Sequence, residues 1–484
     1  MFLPTDWLAL GVAALGISGL VAGAEWLFRN SGHGAGMRRL VHATVCLFVA
    51  ATPQVFSGPG PVCVLAAGFV GVNGMAWGNG WWRSLHARRP ESWGTVAVPL
   101  AVLPAVAVTW GISSDRLLAF QIAFLVLALA DPLAGWIGER IDTRRWMQGA
   151  TWAGTGTFLI VAWGLIGGGL IVGGVPADRA VGAGAAAALV AAVTEAISTR
   201  GSDNLFVVLA LILTLLPLHG SEMGLLVLWG GLAAGGGLAV LASRWSLLTP
   251  RGAGTAGLFA AALVALGGRA WVVPGLIFFG LSSGLSVLPH PSEQENSPRR
   301  TIRQVLANGG VAWALLGLWS VLPSEVVWAR AACYIGFVGA LAAAAADTWA
   351  TELGTRWARR PWSLRTLRPV APGTSGAVSL LGSLGGALGA ATVVGSAALL
   401  GEVGAGSAGG ILVGGLLGMA VDSLVGATLQ GHYRAGAEAP WRETPVPGAE
   451  SLRGWRVVDN NVVNLIGTIV GAGSAVLGAI LFGG

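Results

Sequence analysis

Residues 117–140, LLAFQIAFLVLALADPLAGWIGER, place an aspartate directly after a long, almost entirely apolar run. Residues 333–356, CYIGFVGALAAAAADTWATELGTR, repeat the arrangement: Asp, then Ala three, Gly seven and Arg nine positions later. A charged side chain at the centre of a membrane helix costs about 2.5–3.5 kcal/mol on insertion scales, so it marks a functional site by default. Asp131 and Asp347, at matching places, therefore predict one chemistry built twice.

The composition around these stretches is that of a membrane protein. Of 484 residues, 54% are hydrophobic and 10% are charged, against about 25% charged in a typical soluble protein. A membrane-spanning helix needs about 20 mostly apolar residues. We therefore predict an all-α, polytopic integral membrane protein with about sixteen transmembrane helices (14–16) in two related bundles. The 77 glycines are typical of closely packed membrane helices.

The apolar runs predict sixteen spans. They are 5–25, 41–57, 61–81, 93–111, 117–137, 153–174, 181–198, 204–218, 222–242, 253–269, 271–288, 305–320, 330–349, 376–400, 407–428 and 461–482. The polar break near 245–252 predicts two domains, 1–245 and 246–484. Residues 290–303 are interpreted as a linker and residues 431–458 as a long loop.

The basic residues predict the topology. All 28 are Arg, which excludes a Walker A loop and a lysine Schiff base. If both termini lie outside, 24 of the 28 fall in cytoplasmic loops, and only Arg116, Arg179, Arg269 and Arg330 do not. This alternation predicts an inner-membrane protein with its polar clusters on the cytoplasmic side. It also explains the high isoelectric point of the chain, about 10.4, without a nucleic-acid partner.

Polar residues in the N-terminal half converge on that side. Arg38 and His42 are followed by Asp131, which is predicted to close the fifth helix, by a Gly154-Thr155 helix start, and by Glu195 and Asp203-Asn204. Backbone amides at a helix start favour anions, and carboxylates there can hold Mg²⁺ bound to phosphate oxygens.

The C-terminal half repeats the order. The elements are Arg303 and Asn308, Asp347 and Glu352, a predicted helix start at Gly373-Thr374, Asp422, and Asp459-Asn460 with Asn464. Each element also has a structural interpretation, as a helix cap, a packing site or a topology signal. The shared order is what favours function.

The first of two family resemblances covers residues 28–242, which resemble the phytol kinase and dolichol kinase group of CTP-using membrane lipid kinases. The matching segments are Arg38-Arg39…His42, Ala130-Asp131…Gly138, Thr151–Thr155 and Thr194-Glu195…Ser202-Asp203-Asn204. That group usually has Lys where this chain has Ala150, so phosphate contacts there would fall to Arg144, Arg145 or the backbone. Pro132 is also unusual.

The second resemblance covers residues 253–484, which resemble the phytyl-phosphate kinase family, long catalogued as a domain of unknown function. The matching segments are Gln304–Gly310, Ala346–Gly354, Gly373–Ser379, Leu424–Gln430 and Asp459–Asn464. Together the resemblances imply a fusion of consecutive kinases. The N-terminal half would phosphorylate a prenyl alcohol such as phytol, and the C-terminal half would convert the monophosphate to the diphosphate for prenyl-lipid, tocopherol, quinone or chlorophyll synthesis.

The resemblances also imply roles for single residues, with CTP as phosphoryl donor and Mg²⁺ as cofactor. Catalytic roles fall to Asp131, Glu195, Asp203, Asp347, Glu352, Asp422 and Asp459, of which all but Glu195 and Glu352 are the metal candidates. Cofactor binding falls to Arg38, His42, Gly154, Thr155, Asn204, Arg303, Asn308, Arg365, Arg368, Gly373, Thr374, Asn460 and Asn464. The implied partners are the two lipid substrates, the nucleotide and the bilayer, and a homodimer is left open.

More arginines follow Asp347 (Arg356, Arg359, Arg360, Arg365 and Arg368) than follow Asp131 (Arg140, Arg144 and Arg145). This excess favours the C-terminal half as the binder of the phosphorylated lipid. Two other functions stay open. A CTP-dependent cytidylyltransferase making a CDP-lipid would attack the α-phosphate instead. A two-repeat transporter would place its site nearer the midplane.

Overall fold

The computed structural model describes residues 3–31, 34–81, 91–141, 144–147, 149–218, 222–288, 299–357, 360–370, 373–434 and 450–482. The chain divides into two compact units, residues 1–229 (unit 1) and 230–484 (unit 2). The division falls inside a helix, whereas the sequence-based boundary lay near residue 245. The assignment of 1–245 and 246–484 as two kinase domains stays a prediction.

Unit 1 is built from helices and one short hairpin. The helices are α1 (Pro4–Ser31), α2 (Gly34–Val55), α3 (Pro59–Gly78), α4 (Gly94–Val108), α5 (Leu117–Arg140), α6 (Trp152–Val172), α7 (Ala177–Ile197) and α8 (Asp203–Leu215). Strands β1 (Arg145–Met147) and β2 (Ala150–Thr151) pair antiparallel between α5 and α6. Helix α9 (Glu222–Arg244) contains the division between the units.

Unit 2 has the same helical character with two hairpins. Its helices are α10 (Pro250–Ala262), α11 (Arg269–Val287), α12 (Ile302–Val321), α13 (Val327–Trp357), α14 (Leu380–Leu399), α15 (Ala405–Thr428) and α16 (Asn460–Phe482). Strands β3 (Trp362–Ser363) and β4 (Ala377–Val378) pair antiparallel, as do β5 (His432–Arg434) and β6 (Glu450–Arg453).

Each of the sixteen predicted spans corresponds to one helix of the described chain. Twelve of those helices are long and apolar enough to cross a membrane. The helical membrane fold class is therefore confirmed, while length and hydropathy support twelve of the sixteen predicted crossings. Helix α4 and the stretch Asp203–Leu218 are shorter apolar helices.

Small residues let the helices of unit 2 approach closely, as their abundance predicted. A Cβ on Gly414 would lie 2.5 Å from the backbone nitrogen of Ala475, and one on Gly418 would lie 2.5 Å from the carbonyl oxygen of Gly467. The Ala-rich stretch Ala342–Ala346 of α13 is buried at the centre of this unit. Without a hydrophobic driving force between membrane helices, such close van der Waals packing holds them together.

Three local predictions are wrong. Asp131 does not close its helix, because α5 continues through Pro132 to Arg140. Gly373 and Thr374 do not begin α14, which starts at Leu380 with Ser379 as its N-cap. The predicted loop 431–458 contains the β5–β6 hairpin, although residues 435–449 lie outside the described chain. Most of the predicted linker 290–303 also lies outside it, and α12 begins at Ile302.

Candidate functional site

A cavity of about 310 Å³ opens in unit 1, and it is polar at one end and apolar over the rest. The polar lining consists of Arg38, Arg39, His42, Thr52, Asn73, Thr95, Asp131, Glu139, Asp203 and Asn204. The apolar lining includes Ile17, Val21, Phe28, Val45, Phe48, Val49, Val62, Leu65, Ala66, Phe69, Val98 and Val102. Such a cavity accommodates a ligand with a polar head and a hydrocarbon body.

The polar end is organised around Asp131 and His42. The His42 Nε2 atom lies 3.4 Å from Asp131 Oδ2 and 3.1 Å from the carbonyl oxygen of Leu127. Asp203 interacts electrostatically with Asp131, His42 and Arg38. The cavity therefore holds two carboxylates, an imidazole and a guanidinium within mutual reach, as the N-terminal motifs predicted.

Two further contacts fix the ends of the helices that surround the polar end of the cavity. Arg39 forms a salt bridge to Glu139 and donates to the Gly135 carbonyl at 3.2 Å, which ties α2 to α5. Asn204 is buried and donates through Nδ2 to the Gly94 carbonyl at 3.0 Å.

The contact between Asn204 and Gly94 is possible because residue 201 is a glycine. It adopts φ +88°, and a Cβ there would lie 2.5 Å from the Gly94 nitrogen. Only glycine takes this conformation at such an approach without strain.

Three predicted residues of the N-terminal half lie outside the cavity lining: Glu195, Gly154 and Thr155. The Gly154 amide donates to its N-cap, Thr151 Oγ1, at 3.1 Å. Thr155 Oγ1 accepts from Trp146 Nε1 at 3.0 Å. The Gly-Thr helix start thus functions in this structure as a cap and packing site, the structural alternative that its sequence allowed.

In unit 2 the structure brings Asp347 of α13 and Asp422 of α15 within hydrogen-bonding distance of each other. Asp422 packs against α16, where a Cβ on Gly467 would lie 3.2 Å from the Asp422 Cβ. These two predicted carboxylates therefore share one location, between three helices.

The other polar residues of α12 and α16 form a neighbouring set. Arg303 Nη1 lies 3.7 Å from Asp459 Oδ2, and Asn464 Nδ2 donates to Asn308 Oδ1 at 3.0 Å. Asp459 also caps α16, since its Oδ1 accepts from the Val462 amide at 3.0 Å. Asn460, the first residue of α16, is exposed.

Asp459 lies apart from the Asp347–Asp422 pair along α16. It precedes Gly467, which contacts Asp422, by eight residues, and this corresponds to about 12 Å of helix. Of the three predicted metal-binding aspartates of this unit, Asp347 and Asp422 therefore form a pair, while Asp459 caps α16.

Glu352 belongs to a third, separate network. Its Oε1 accepts from Ser286 Oγ at 2.6 Å, and its Oε2 lies 3.2 Å from Arg356 Nη2. Arg356 is buried and donates to the carbonyls of Leu285 and Leu288 at 2.6 and 2.7 Å.

The prediction that Arg356 belongs to the arginine-rich, phosphate-binding loop is therefore wrong. It lies inside α13, and its Nη1 and Nη2 atoms donate to carbonyls at the end of α11. Of the other loop arginines, Arg359 is outside the described residues, while Arg365 and Arg368 are exposed.

Gly373 and Thr374 lie in the segment before β4. Close by, a Cβ on Gly376 (φ +69°) would lie 2.4 Å from the Ala427 nitrogen, and Ser375 Oγ donates to Gln430 Oε1 at 2.6 Å. The residues that follow the predicted Gly-Thr element, Ser375 and Gly376, therefore contact the end of α15, and the next helix begins later, at Leu380.

The two carboxylate pairs fit a magnesium ion that arrives with a nucleotide. Among the described residues, no three Asp, Glu, His or Cys side chains gather closely enough to hold a metal ion alone. Mg²⁺ is usually bound through one or two carboxylates together with substrate phosphates. Asp131 with Asp203, and Asp347 with Asp422, match that donor set.

Sequence reasoning missed several polar residues of these sites. Glu139, Asn73 and Thr95 line the unit 1 cavity, and His432 and Arg453 form a part-buried contact in the β5–β6 hairpin. The alternation Gln430-x-His432-x-Arg434 was a readable signal for a strand with one polar face. The partners of Arg39 depend on tertiary packing and had no such signal.

Comparison with known proteins relates mainly the C-terminal part of the chain to a family. Residues 233–472 match the family described as integral membrane protein DUF92. An uncharacterized membrane protein of Synechocystis sp. is 30% identical over 253 residues, covering 49% of this chain and 85% of that protein.

Two further relatives are similar at the same level. Protein PGR of Arabidopsis thaliana is 29% identical over 224 residues, covering 40% of this chain and 76% of its own length. An uncharacterized membrane protein of Methanocaldococcus jannaschii is 31% identical over 188 residues, covering 38% and 63% respectively. No solved structure matches.

Proposed function

Because the chain belongs to the DUF92 family of integral membrane proteins, we propose that it is a membrane-embedded lipid phosphotransferase with two sites. Unit 1 phosphorylates a prenyl alcohol, phytol or a similar chain, and unit 2 phosphorylates the resulting monophosphate. CTP is the phosphoryl donor and Mg²⁺ the cofactor. Both sites face the cytoplasm of the cell inner membrane in this proposal.

The cavity of unit 1 is the observation that carries the proposal. Its charged end contains Asp131, Asp203 and His42, while residues of α1 to α4 line an apolar interior. A prenyl alcohol has the same polarity, with one hydroxyl on a hydrocarbon chain. Burial of that chain contributes about 0.8 kcal/mol per CH₂ group, and the hydroxyl is then left at the carboxylates.

In unit 1 the acceptor must lose a proton as it attacks. The hydroxyl oxygen forms a bond to the γ-phosphorus, the bond from that phosphorus to the β-phosphate oxygen breaks, and the proton passes to Asp131 or Asp203. His42, 3.4 Å from Asp131 Oδ2, orients that carboxylate. Arg38 lies near enough to Asp203 to interact with it and offsets phosphate charge, because phosphoryl transfer depends chiefly on positioning and charge neutralisation.

In unit 2 the acceptor is a phosphate monoester, whose second pKa of about 6 leaves it largely ionised at neutral pH. No proton acceptor is then required. Asp347 and Asp422 would hold the nucleotide's Mg²⁺, which would neutralise charge on the transferring phosphoryl group. Arg303, 3.7 Å from Asp459, is exposed enough to contact an incoming phosphate.

The test uses purified full-length protein with phytol, Mg²⁺ and CTP labelled at either the γ- or the α-phosphate. We expect γ-label in lipid monophosphate and diphosphate. Asp131→Ala should lose both products from phytol, whereas Asp347→Ala should accumulate monophosphate. Asp178→Ala, which removes an exposed carboxylate at the start of α7, is the matched control and should behave as wild type.

Two results would contradict the proposal. Transfer of α-label to lipid would indicate a cytidylyltransferase, and formation of diphosphate from phytol by Asp347→Ala would separate unit 2 from the second step. The γ-label experiment also tests the transporter alternative, because a transporter would label no lipid.

A further inference from the structure

The β5–β6 hairpin of unit 2 presents a polar face that the proposed reaction does not use. His432 and Arg434 lie two apart on β5, so their side chains point to the same face. Gln430 precedes β5 by two residues and pairs with Trp455 in an isolated bridge. Arg453 lies directly opposite His432 in the strand register, so it joins that face. Arg434 lies opposite Glu450.

Direct contacts hold this face together. Arg453 Nε donates to His432 Nδ1 at 3.2 Å, and Arg453 Nη1 donates to the Ala427 carbonyl at 3.1 Å. His432 and Gln430 are 4% and 1% exposed, so both are buried under the hairpin. The guanidinium of Arg453 makes this arrangement electropositive.

Gln430 supplies an independent indication of a ligand. Its Oε1 accepts from Ser375 Oγ at 2.6 Å, which fixes the amide so that Nε2 is directed away from that contact. Among the described residues no group accepts from the buried Gln430 Nε2, and the same holds for Arg434 Nε. Buried donors in native proteins are almost always satisfied, so two of them on one polar face indicate an absent acceptor.

The surrounding charges specify what the acceptor is. Arg453 of β6 and Arg365, which lies between β3 and β4, both act electrostatically on His432, and Arg434 of β5 brings a third guanidinium. Guanidinium groups match the paired oxygens of phosphate and carboxylate. Several guanidinium groups together with an amide donor favour a group with three or more anionic oxygens.

We infer that this hairpin face is a binding site for a phosphate group. The inference deepens the proposed function of unit 2, on which it rests for the origin of the ligand: a nucleotide phosphate or the phosphomonoester head of a lipid. Gln430 follows Asp422 by eight residues on and just beyond α15, which corresponds to about 12 Å along the helix axis. A nucleoside triphosphate is long enough to span that distance to the carboxylate pair.

The test measures binding without turnover, by calorimetric titration of inorganic pyrophosphate into the purified full-length protein in detergent. Gln430→Glu keeps the acceptor for Ser375 and replaces the unpartnered donor with an anionic oxygen. We expect this variant to weaken the binding of pyrophosphate at least about tenfold, because one charge-assisted contact is lost. Arg365→Gln, at an exposed side chain, should weaken binding in the same direction without disturbing the fold.

Arg456→Gln is the matched control, because it removes the same charge from an exposed residue of the adjoining loop and should leave the affinity unchanged. The origin of the ligand is resolved by repeating the titrations with phosphatidic acid in nanodiscs. Weakening of pyrophosphate alone supports a nucleotide site, and weakening of phosphatidic acid alone supports a lipid headgroup site.

Equal affinities for both ligands in wild type, Gln430→Glu and Arg365→Gln would overturn the inference, as would equal weakening by Arg456→Gln. Failure of the proposed function is a separate outcome. It would appear as absent γ-phosphate transfer while pyrophosphate binding still depends on Gln430.

Discussion

Gly354 of α13 and Gly382 of α14 lie against each other: a Cβ on Gly382 would lie 3.5 Å from the Gly354 Cα, 2.9 Å from the Ala350 carbonyl and 3.0 Å from Ser379 Oγ. Gly138 and Gly154 repeat the arrangement in unit 1. A Cβ on Gly154 would lie 3.6 Å from the Gly138 Cα and 3.2 Å from the Ala134 carbonyl. The doubled Asp-x-x-Ala-x-x-x-Gly pattern therefore encodes a helix contact as well as an aspartate.

This contact predicts opposite effects for two Gly→Ala substitutions on α14. Gly382→Ala must displace backbone and should lower the stability of the protein by about 1–3 kcal/mol, as overpacking does. Gly395→Ala, with no neighbouring atom within 4 Å of its Cβ, should raise stability by about 0.5–1 kcal/mol through helix propensity. Thermal unfolding in detergent measures both, and a stabilised Gly382→Ala would contradict the packing.

Local sequence patterns were enough to predict the helices and two of the site residues. The apolar runs predicted sixteen helices, because hydropathy and length act locally. The doubled pattern predicted Asp131 and Asp347 as site residues, and the structure places each beside a second carboxylate, Asp203 or Asp422.

Helix starts and long-range partners were harder to predict. Gly373-Thr374 resembles the start of α6, yet Ser379-x-x-Gly382 is the counterpart of Thr151-x-x-Gly154, since in both the hydroxyl accepts from the glycine amide. The family resemblance implied a catalytic role for Glu352, whereas its partner in the structure, Ser286, is 66 positions away in the sequence. Such pairings depend on tertiary packing, which no local pattern specifies.

Glu352 and Arg356 give a prediction that separates structural from catalytic roles. Breaking a buried ion pair costs about 3–5 kcal/mol, because the remaining charge is left uncompensated. Glu352→Ala and Arg356→Met should each lower the unfolding temperature. The double variant Glu352→Leu with Arg356→Met should recover much of that loss, since replacement of a whole buried pair by apolar side chains is often neutral.

Activity provides the second measurement on these variants. The fraction of Glu352→Ala that remains folded should phosphorylate lipid monophosphate at a rate within a few-fold of wild type. A loss of turnover by several hundredfold in protein that unfolds at the wild-type temperature would instead assign Glu352 a catalytic role.

His432 predicts that stability falls at acid pH. Burial, and then the charges of Arg453 and Arg365, hold the pKa of His432 below its ordinary value of 6.5. Between the lowered pKa and 6.5 the unfolded chain binds more protons than the folded chain, so stability decreases as the pH falls through 6.5. His432→Gln should reduce the difference in unfolding temperature between pH 7.5 and pH 5.5.

Arg365→Gln is the companion variant. It removes one charge that disfavours the imidazolium, so the acid loss of stability should be smaller than in wild type but larger than in His432→Gln. An identical pH dependence in all three proteins would show that His432 is not responsible.

The cavity of unit 1 predicts that chain-length preference can be altered without loss of chemistry. Ala66 of α3 lines the apolar part of the cavity and is 6% exposed. Ala66→Phe should fill that space and raise the KM for a C20 prenyl alcohol at least about tenfold, while a C5 alcohol that reaches only the polar end is still phosphorylated. Val64→Phe, at a 51% exposed position on the same helix, is the control and should leave both KM values unchanged. Steady-state rates with the two alcohols measure the effect, and an equal loss of activity toward both by Ala66→Phe would show that the cavity does not hold the chain.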